Sequence, residues 1–295
     1  MRAALLTAGE WLAAVGGRLA FAVLRLIGLR AASALGGAVL RLIGPLTRNH
    51  RFMMENLRLA LPEMTPAQHA AIARAAWDNL GRTSFEYPHL DRIADPAGGL
   101  VHADAEVLAT FERLLADGRP VLTFAAHLGN WEVPAAVAAA HGQRGAILYR
   151  RPNNRFVAAD VERLRQRLMG RMIPAGLAAP IRLAEALDEG LSVGMLVDQR
   201  FGRGPRVPFF GRPAAANPLL ARLARRFDAP VYGLRCVREA GPRFRMDLVG
   251  PVELPRDASG RVDVEAATAL LNRIIEGWVR EHPGQWLWMH RRWRD

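Results

Sequence analysis

Two rhythms of hydrophobic and polar positions divide the chain. Residues 11–46, WLAAVGGRLAFAVLRLIGLRAASALGGAVLRLIGPL, are apolar with arginines at 18, 25, 30 and 41. At 100° per residue Arg18 and Arg25 nearly superimpose, leaving a wide face of Leu, Ala, Val, Phe and Ile. Trp11 falls near one end, where an interfacial ring belongs. The longest uncharged run, Ala31–Leu40, is ten residues, about half of what a spanning helix needs. The segment is too long and too often interrupted for a cleaved signal peptide. The pattern favours an amphipathic anchor lying in a membrane surface. A tilted span with snorkelling arginines and an ordinary helix packed on the domain are the competing readings. The chain therefore divides into a membrane-associating segment, 1–46, and a domain, 47–295.

Residues 51–87 carry helical periodicity, with Thr65-Pro66 as an N-cap followed by proline at the first helical position. From about residue 104 the period switches repeatedly between 3.6 and 2. Helix 104–117 leads into strand 120–126, helix 130–140 into strand 145–149, helix 155–168 into strand 171–173, and helix 180–188 into strand 192–197. A Gly/Pro/Arg-rich stretch, 199–213, reads as a flexible loop. Helix 215–226, strands 230–238 and 243–250, helix 263–281 and a Trp-rich tail complete the chain. Such alternation predicts an α/β fold with helices on both faces of a mixed sheet. Ligands of such sheets bind outside the carboxyl ends of the strands, and His127 and Asp198 each follow a strand directly.

The first of those junctions, VLTFAAHLGNWEVPAAV (121–137), turns from apolar strand to His127, Gly129, Asn130, Trp131 and Glu132. On one continuous helix, His127 and Glu132 would point some 140° apart. If the helix begins near Gly129–Asn130, His127 lies on the preceding turn and can lean back toward Glu132. An imidazole oriented by a carboxylate is a general base for a hydroxyl or amine nucleophile. The plainer reading is a histidine that satisfies a helix start and a glutamate that complements the helix dipole.

Composition sharpens this. At 295 residues and 51% hydrophobic, the chain can build one large core. Its single cysteine, Cys236, excludes an internal disulfide framework and a cysteine-rich zinc site. Forty basic residues, all arginine, face 28 acidic ones, a net charge of +12. Codon bias accounts for the missing lysine but not for the excess, which favours acidic partners: anionic headgroups, phosphorylated substrates or an acidic carrier protein. Nucleic acid is disfavoured, because the charge is spread along the chain and no zinc-finger, ribonucleoprotein-type or basic-zipper motif appears.

AAHLGNWE (125–132) resembles the signature of the lysophospholipid acyltransferase-like superfamily, in the branch of the bacterial lipid A late acyltransferases (lauroyl and myristoyl transferases). The likeness continues in ENLRLALPEMTP (55–66), DNLGRT (78–83), YRRPNN (149–154), DQR (198–200), VPFFGRPA (207–214) and WLWMHRRW (286–293). Each motif is weak alone, but seven in the family's order over nearly the whole chain are specific. The resemblance implies a glycerolipid acyltransferase-like sheet with an N-terminal membrane-associating helix, at the cytoplasmic face of the inner membrane. It implies direct transfer of an acyl chain from an acyl-carrier-protein thioester, or acyl-CoA, to a hydroxyl of a phosphorylated glycolipid, a lipid A precursor. His127 is then the base. Glu132 is the preferred partner, with Asp198 of LVDQR as the alternative.

In the same resemblance at least one of Arg150 and Arg151 binds the acceptor's phosphate or phosphosugar, in a cluster with Arg200 and Asn130; the plainer reading of the pair is a solvated turn. Family members often carry one arginine where this chain has two, so which of the pair points inward is open. Phe209 and Phe210 are expected to wall an acyl-chain channel or else to pack on the core. No metal or cofactor is implied. No Gly-X-Ser-X-Gly elbow occurs, and Cys236, mid-strand, reads as core. The runner-up is acylation of another membrane lipid: a lysophospholipid, an ornithine-type lipid or a mannosylated phosphoinositide. A non-catalytic lipid or carrier binder on the same scaffold is the third reading.

Overall fold

The computed structural model describes residues 2–293. The apolar N-terminal stretch is two helices, α1 (Arg2–Ile27) and α2 (Leu29–Ile43). They part at Gly28, whose φ of 83° is outside any right-handed helix. After α3 (Arg48–Ala60), the helix α4 (Pro66–Glu86) starts on the N-cap expected at Thr65, whose side chain accepts from the N–H of Gln68 in a capping box.

α2 lies across α4 at a contact only glycine permits. A Cβ on Gly36 would come 2.3 Å from the carbonyl oxygen of Gly81, and one on Gly81 would come 2.0 Å from that of Gly36. Trp11, Leu12, Leu19, Leu26, Leu42 and Leu46 remain exposed along these first helices. Among the described residues one stretch, Leu29–Leu46, is long and apolar enough to cross a membrane, and a third of it is buried inside the protein.

The remainder alternates as the periodicity predicts. A four-residue helix α5 (Leu90–Ile93) precedes β1 (Val101–His102), α6 (Ala105–Asp117), β2 (Leu122–Ala125), α7 (Val133–Ala140), β3 (Gly145–Tyr149), α8 (Arg155–Met169), β4 (Arg171–Pro174), α9 (Ala179–Asp188) and β5 (Ser192–Leu196). A hairpin of β6 (Arg206–Phe209) and β7 (Arg212–Ala215) follows, then α10 (Leu219–Phe227), β8 (Val231–Arg238), β9 (Phe244–Val249) and α11 (Val264–Glu281). The seven-stranded sheet runs β1-β9-β8-β2-β5-β3-β4, mixed as expected. β8, β2, β5, β3 and β4 are mutually parallel, and β9 pairs antiparallel to β8.

Two cores follow from the strands' period of two. Ala146 and Val193 face the larger core with Leu183, Leu220, Leu271 and Ile275 of α9, α10 and α11. Ile147 and Tyr149 face the smaller one with Val133, Ala136, Met169 and α5.

Two expectations are corrected. The helix read as 130–140 begins at Val133, because residues 127–132 form an irregular turn that carries an isolated bridge from Leu128 to Trp286. The stretch 199–213 is not a free loop: it holds the β6–β7 hairpin, whose tight turn puts Phe210 at φ 53° and Gly211 at φ 68°.

The α2–α4 contact predicts a steep penalty for bulk. Gly81→Val lowers the denaturant midpoint in detergent by the equivalent of about 2–3 kcal/mol, the cost of overpacking where backbone rather than a flexible side chain must yield. Gly277→Ala, in α11 where a Cβ meets nothing within 4 Å, is neutral or gains up to about 1 kcal/mol from helix propensity.

Candidate active site

Strand register brings the site together. β2 and β5 pair with Ala125 beside Leu196, so two residues past each of these His127 and Asp198 come side by side on the carboxyl edge of the sheet. The imidazole Nδ1 lies 2.8 Å from Asp198 Oδ1, and the backbone N–H of His127 donates to Oδ2 at 2.9 Å. Trp286 donates its indole N–H to the same Oδ2 at 2.8 Å. A carboxylate can only accept, so Nδ1 carries the hydrogen and the lone pair of the neutral ring sits on Nε2. That nitrogen faces the side-chain amide of Gln199 at 3.2 Å. Asp198 is 1% exposed. Burial alone would raise its pKa, but the neighbouring His127 charge and hydrogen bonds from His127 and Trp286 outweigh burial and bring it to about 2.

Glu132 is not the imidazole's partner, contrary to the expected preference. Its carboxylate is bound by the guanidinium of Arg165 through both oxygens, with Nε to Oε2 at 3.0 Å. Arg165 in turn lies 5.8 Å from the ring centres of both Tyr87 and Tyr149. Because the turn has not yet become helix at Glu132, its side chain is carried away from His127 and onto α8. Trp131 fills the interval, its ring 5.3 Å from the imidazole.

Asn130 is also corrected. It is wholly buried, with its amide donating to Glu86 Oε2 at 2.9 Å and its Oδ1 accepting from the N–H of Glu132 at 3.2 Å. It shapes the turn and has no face left for an acceptor. Phe209 and Phe210 are buried as well, packed with Trp286, Trp288 and Trp293 of the tail. They belong to the core and not to a channel. Arg150 and Arg151 are exposed just past β3 on the same edge as His127, Arg151 paired with Glu162 at 2.9 Å. Arg200 is partly exposed two residues beyond Asp198. Cys236 lies buried in β8, its thiol pushed up to about 12 by burial, so it offers no thiolate at neutral pH.

Beneath the turn is a network whose ion pair, Glu86 with Arg238, lies outside the sequence motifs. Arg238 of β8, 9% exposed, binds Glu86 of α4, 0% exposed, through its two terminal guanidinium nitrogens. Its Nε donates to Asn79 Oδ1 at 2.7 Å and its Nη2 to Thr83 Oγ1 at 3.0 Å. Asn79 and Thr83 pass the link on by donating to the carbonyl of Gly129 at 2.9 and 3.1 Å. Ser33 of α2 completes Glu86, donating at 2.6 Å. Gly129 is obligatory here: at φ +61° a Cβ would lie 1.9 Å from the carbonyl oxygen of Cys236. DNLGRT (78–83) thus serves as the platform for the histidine turn.

A cleft of about 310 Å³ opens beside Trp131 and Glu132. Gly17, Ala20, Phe21 and Leu24 of α1 form one wall, and Thr83, Ser84, Tyr87 and Pro88 the other. Among the described residues, no group of three or more His, Cys, Asp and Glu side chains is placed to hold a metal.

Fold and site together define a class: an α/β enzyme with a His–Asp pair on the carboxyl edge of a mostly parallel sheet. The sequence matches the bacterial lipid A biosynthesis acyltransferase family over residues 2–295. The chain belongs to that family; it is an acyltransferase, from a family that is membrane-associated in bacteria. No curated protein matches it in sequence.

Breaking the buried pair is costly, because the partner left behind is an unpaired charge in a dry site. Arg238→Met destabilises the enzyme by about 3–5 kcal/mol, read from urea midpoints, and Arg238→Met with Glu86→Leu recovers most of that loss.

Proposed function

We propose that the enzyme transfers a fatty acyl chain from an acyl-carrier-protein thioester to a hydroxyl of a lipid A precursor, with His127 as general base. The observation that carries this reading is the imidazole itself. Asp198 holds Nδ1–H, so Nε2 keeps its lone pair at the carboxyl edge of the sheet, where it faces the Gln199 amide. The acceptor hydroxyl gives its proton to Nε2 as its oxygen attacks the thioester carbonyl. The tetrahedral intermediate collapses, the C–S bond breaks, and the leaving thiolate takes the proton from the imidazolium. Asp198 steers the ring and stabilises its positive form, as a buried acid does in other histidine-based sites. No covalent acyl-enzyme is needed.

Glu132 then acts at a distance. Its ion pair with Arg165 ties the start of α7 to α8 and sets the position of Trp131 beside the imidazole. Arg150, Arg151 and Arg200 line the same edge and suit a phosphorylated acceptor, since guanidinium forks onto phosphate oxygens. The net charge of +12 complements an acidic carrier, a phosphorylated glycolipid and an anionic membrane alike. The exposed leucines of α1 and α2 fit attachment to the cytoplasmic face of the inner membrane. The cleft between α1 and α4 takes the acyl chain, in place of the channel expected at Phe209 and Phe210.

The reading is tested with purified enzyme, a panel of acyl-carrier and CoA thioesters from ten to sixteen carbons, and lipid A precursor, lysophospholipid and ornithine-lipid acceptors, followed by mass spectrometry. His127→Ala abolishes transfer. Asp198→Asn reduces turnover about 10³-fold or more, because the amide stabilises the wrong tautomer. Glu132→Gln, which keeps one hydrogen bond to Arg165, loses less. Labelling confined to glycerolipids contradicts the lipid A assignment, and an active His127→Ala enzyme contradicts the mechanism.

The cleft yields a separate expectation. Gly17 faces it from α1, so Gly17→Trp shifts the preferred donor toward shorter chains, with rate on the longest thioester falling at least about tenfold; each buried methylene is worth about 0.8 kcal/mol. Unchanged chain preference places the acyl chain elsewhere.

A further inference from the structure

The tetrahedral intermediate puts a negative charge on the former carbonyl oxygen, and hydrogen-bond donors aimed at that oxygen supply much of the rate in such reactions. Backbone N–H groups of an active-site turn are one ready source. In this turn most of them are already committed to the protein. The N–H of His127 goes to Asp198 at 2.9 Å, that of Leu128 to Ala126 at 2.7 Å and that of Gly129 to Gln285 at 3.0 Å. Glu132 N–H is spent on Asn130 Oδ1 at 3.2 Å, and Val133 N–H on the Asn130 carbonyl at 3.1 Å. Among the described residues of 127–133, the N–H groups of Asn130 and Trp131 are the two without such a bond. Most of the turn's donors hold its shape, which gives weight to any side-chain donor beside the reacting atoms.

One side-chain donor already stands at the reacting nitrogen. The amide of Gln199 lies 3.2 Å from His127 Nε2, on the spot an incoming hydroxyl must occupy to hand over its proton. The neighbouring Asp198 is fixed through both carboxylate oxygens, so the backbone leading into Gln199 is anchored while its side chain remains partly exposed. A hydroxyl that takes the place at Nε2 displaces the amide by about one hydrogen-bond length. In the tetrahedral intermediate the oxyanion is bonded to the attacked carbon, two bonds from the hydroxyl oxygen at Nε2, and so lies within hydrogen-bond reach of the displaced amide.

We infer that Gln199 is a catalytic residue whose side-chain N–H donates to the oxyanion of the acyl-transfer intermediate, after occupying the acceptor hydroxyl's place in the resting site. This rests on the acyl-transfer reading above. In the step, the acceptor O–H proton moves to His127 Nε2, the new O–C bond forms, and the carbonyl π pair becomes the oxyanion held by Gln199. Its collapse restores C=O and breaks C–S, and the thiolate leaves with the imidazolium's proton. Gln199 stays neutral throughout and loses no proton.

The test compares wild type with Gln199→Leu and Gln199→Met, on whichever thioester of the panel turns over fastest. Two inert donor analogues are also measured: a trifluoromethyl ketone, which hydrates to a tetrahedral mimic, and a thioether with no carbonyl. Both variants are expected to lose about 100-fold or more in kcat, the cost of one oxyanion donor, with KM within about threefold. Their affinity for the ketone falls by a similar factor, while affinity for the thioether is unchanged. A merely structural residue moves both analogues together. The inference is overturned if kcat of a folded variant stays within about fivefold of wild type, if it rises because a plug has been removed, or if thioether binding falls as far as ketone binding. Absence of turnover by the wild-type enzyme on every pair of substrates sinks the acyl-transfer reading itself, and a slow variant beside an active wild type cannot be mistaken for that.

Discussion

The active edge depends on one buried ion pair, Arg238 with Glu86. Neither group touches the reacting atoms, yet their hydrogen bonds join α2, α4, β8 and the histidine turn in one dry cluster. Such a pair is a poor source of net stability, because removing two charges from water costs nearly what their attraction returns. What it supplies is geometry. Each of its bonds has a fixed length and direction, and a shift of the Gly129 carbonyl would leave Asn79 and Thr83 without an acceptor in a site closed to water. The backbone two residues after His127 is thereby held from below, and the imidazole is held from the side by Asp198.

The two acids near the histidine have been given different work by their surroundings. Asp198 is stripped of water but collects three hydrogen bonds, two from His127 and one from Trp286, and so remains ionised beside the ring. Glu132 meets a guanidinium first and is spent on it. Burial opposes Arg165's charge, and Glu132 and Tyr87 together more than offset that opposition. A spacing of five residues therefore names a motif without naming the pair that forms within it. The chemical unit joins residues 71 positions apart, and the short-range acid fastens the turn to the helix beside it.

Local periodicity was legible where each element buries its own face: the alternating helices and strands from α6 to α11 and the cap at Thr65 need no partner to be read. His127 and Asp198 were legible as strand-end residues, but choosing between Asp198 and Glu132 required the parallel register of β2 and β5. The β6–β7 hairpin was hidden by Pro208 and Pro213, residues that count against strands; in the fold they stand opposite each other across the pair. Phe209 and Phe210 looked exposed because the tail that covers them is some 75 residues downstream. Glu86 and Arg238 were invisible, 152 positions apart and in no shared motif. Composition pointed to acidic partners but could not say which arginines face them, since Arg165 and Arg238 are turned wholly to internal use.

The indole of Trp286 bonded to Asp198 has a meaning in time as well as space. The ribosome makes His127 some 160 residues before that tryptophan, an interval of roughly 8–30 s at ordinary rates of synthesis. Throughout it the strand edge has its histidine but not the bridge from Leu128 to Trp286, nor the indole that steadies the acid. α1 and α2, by contrast, are made before the histidine. Birth order thus separates the apolar helices from the chemistry: they are made while the reaction centre is still incomplete.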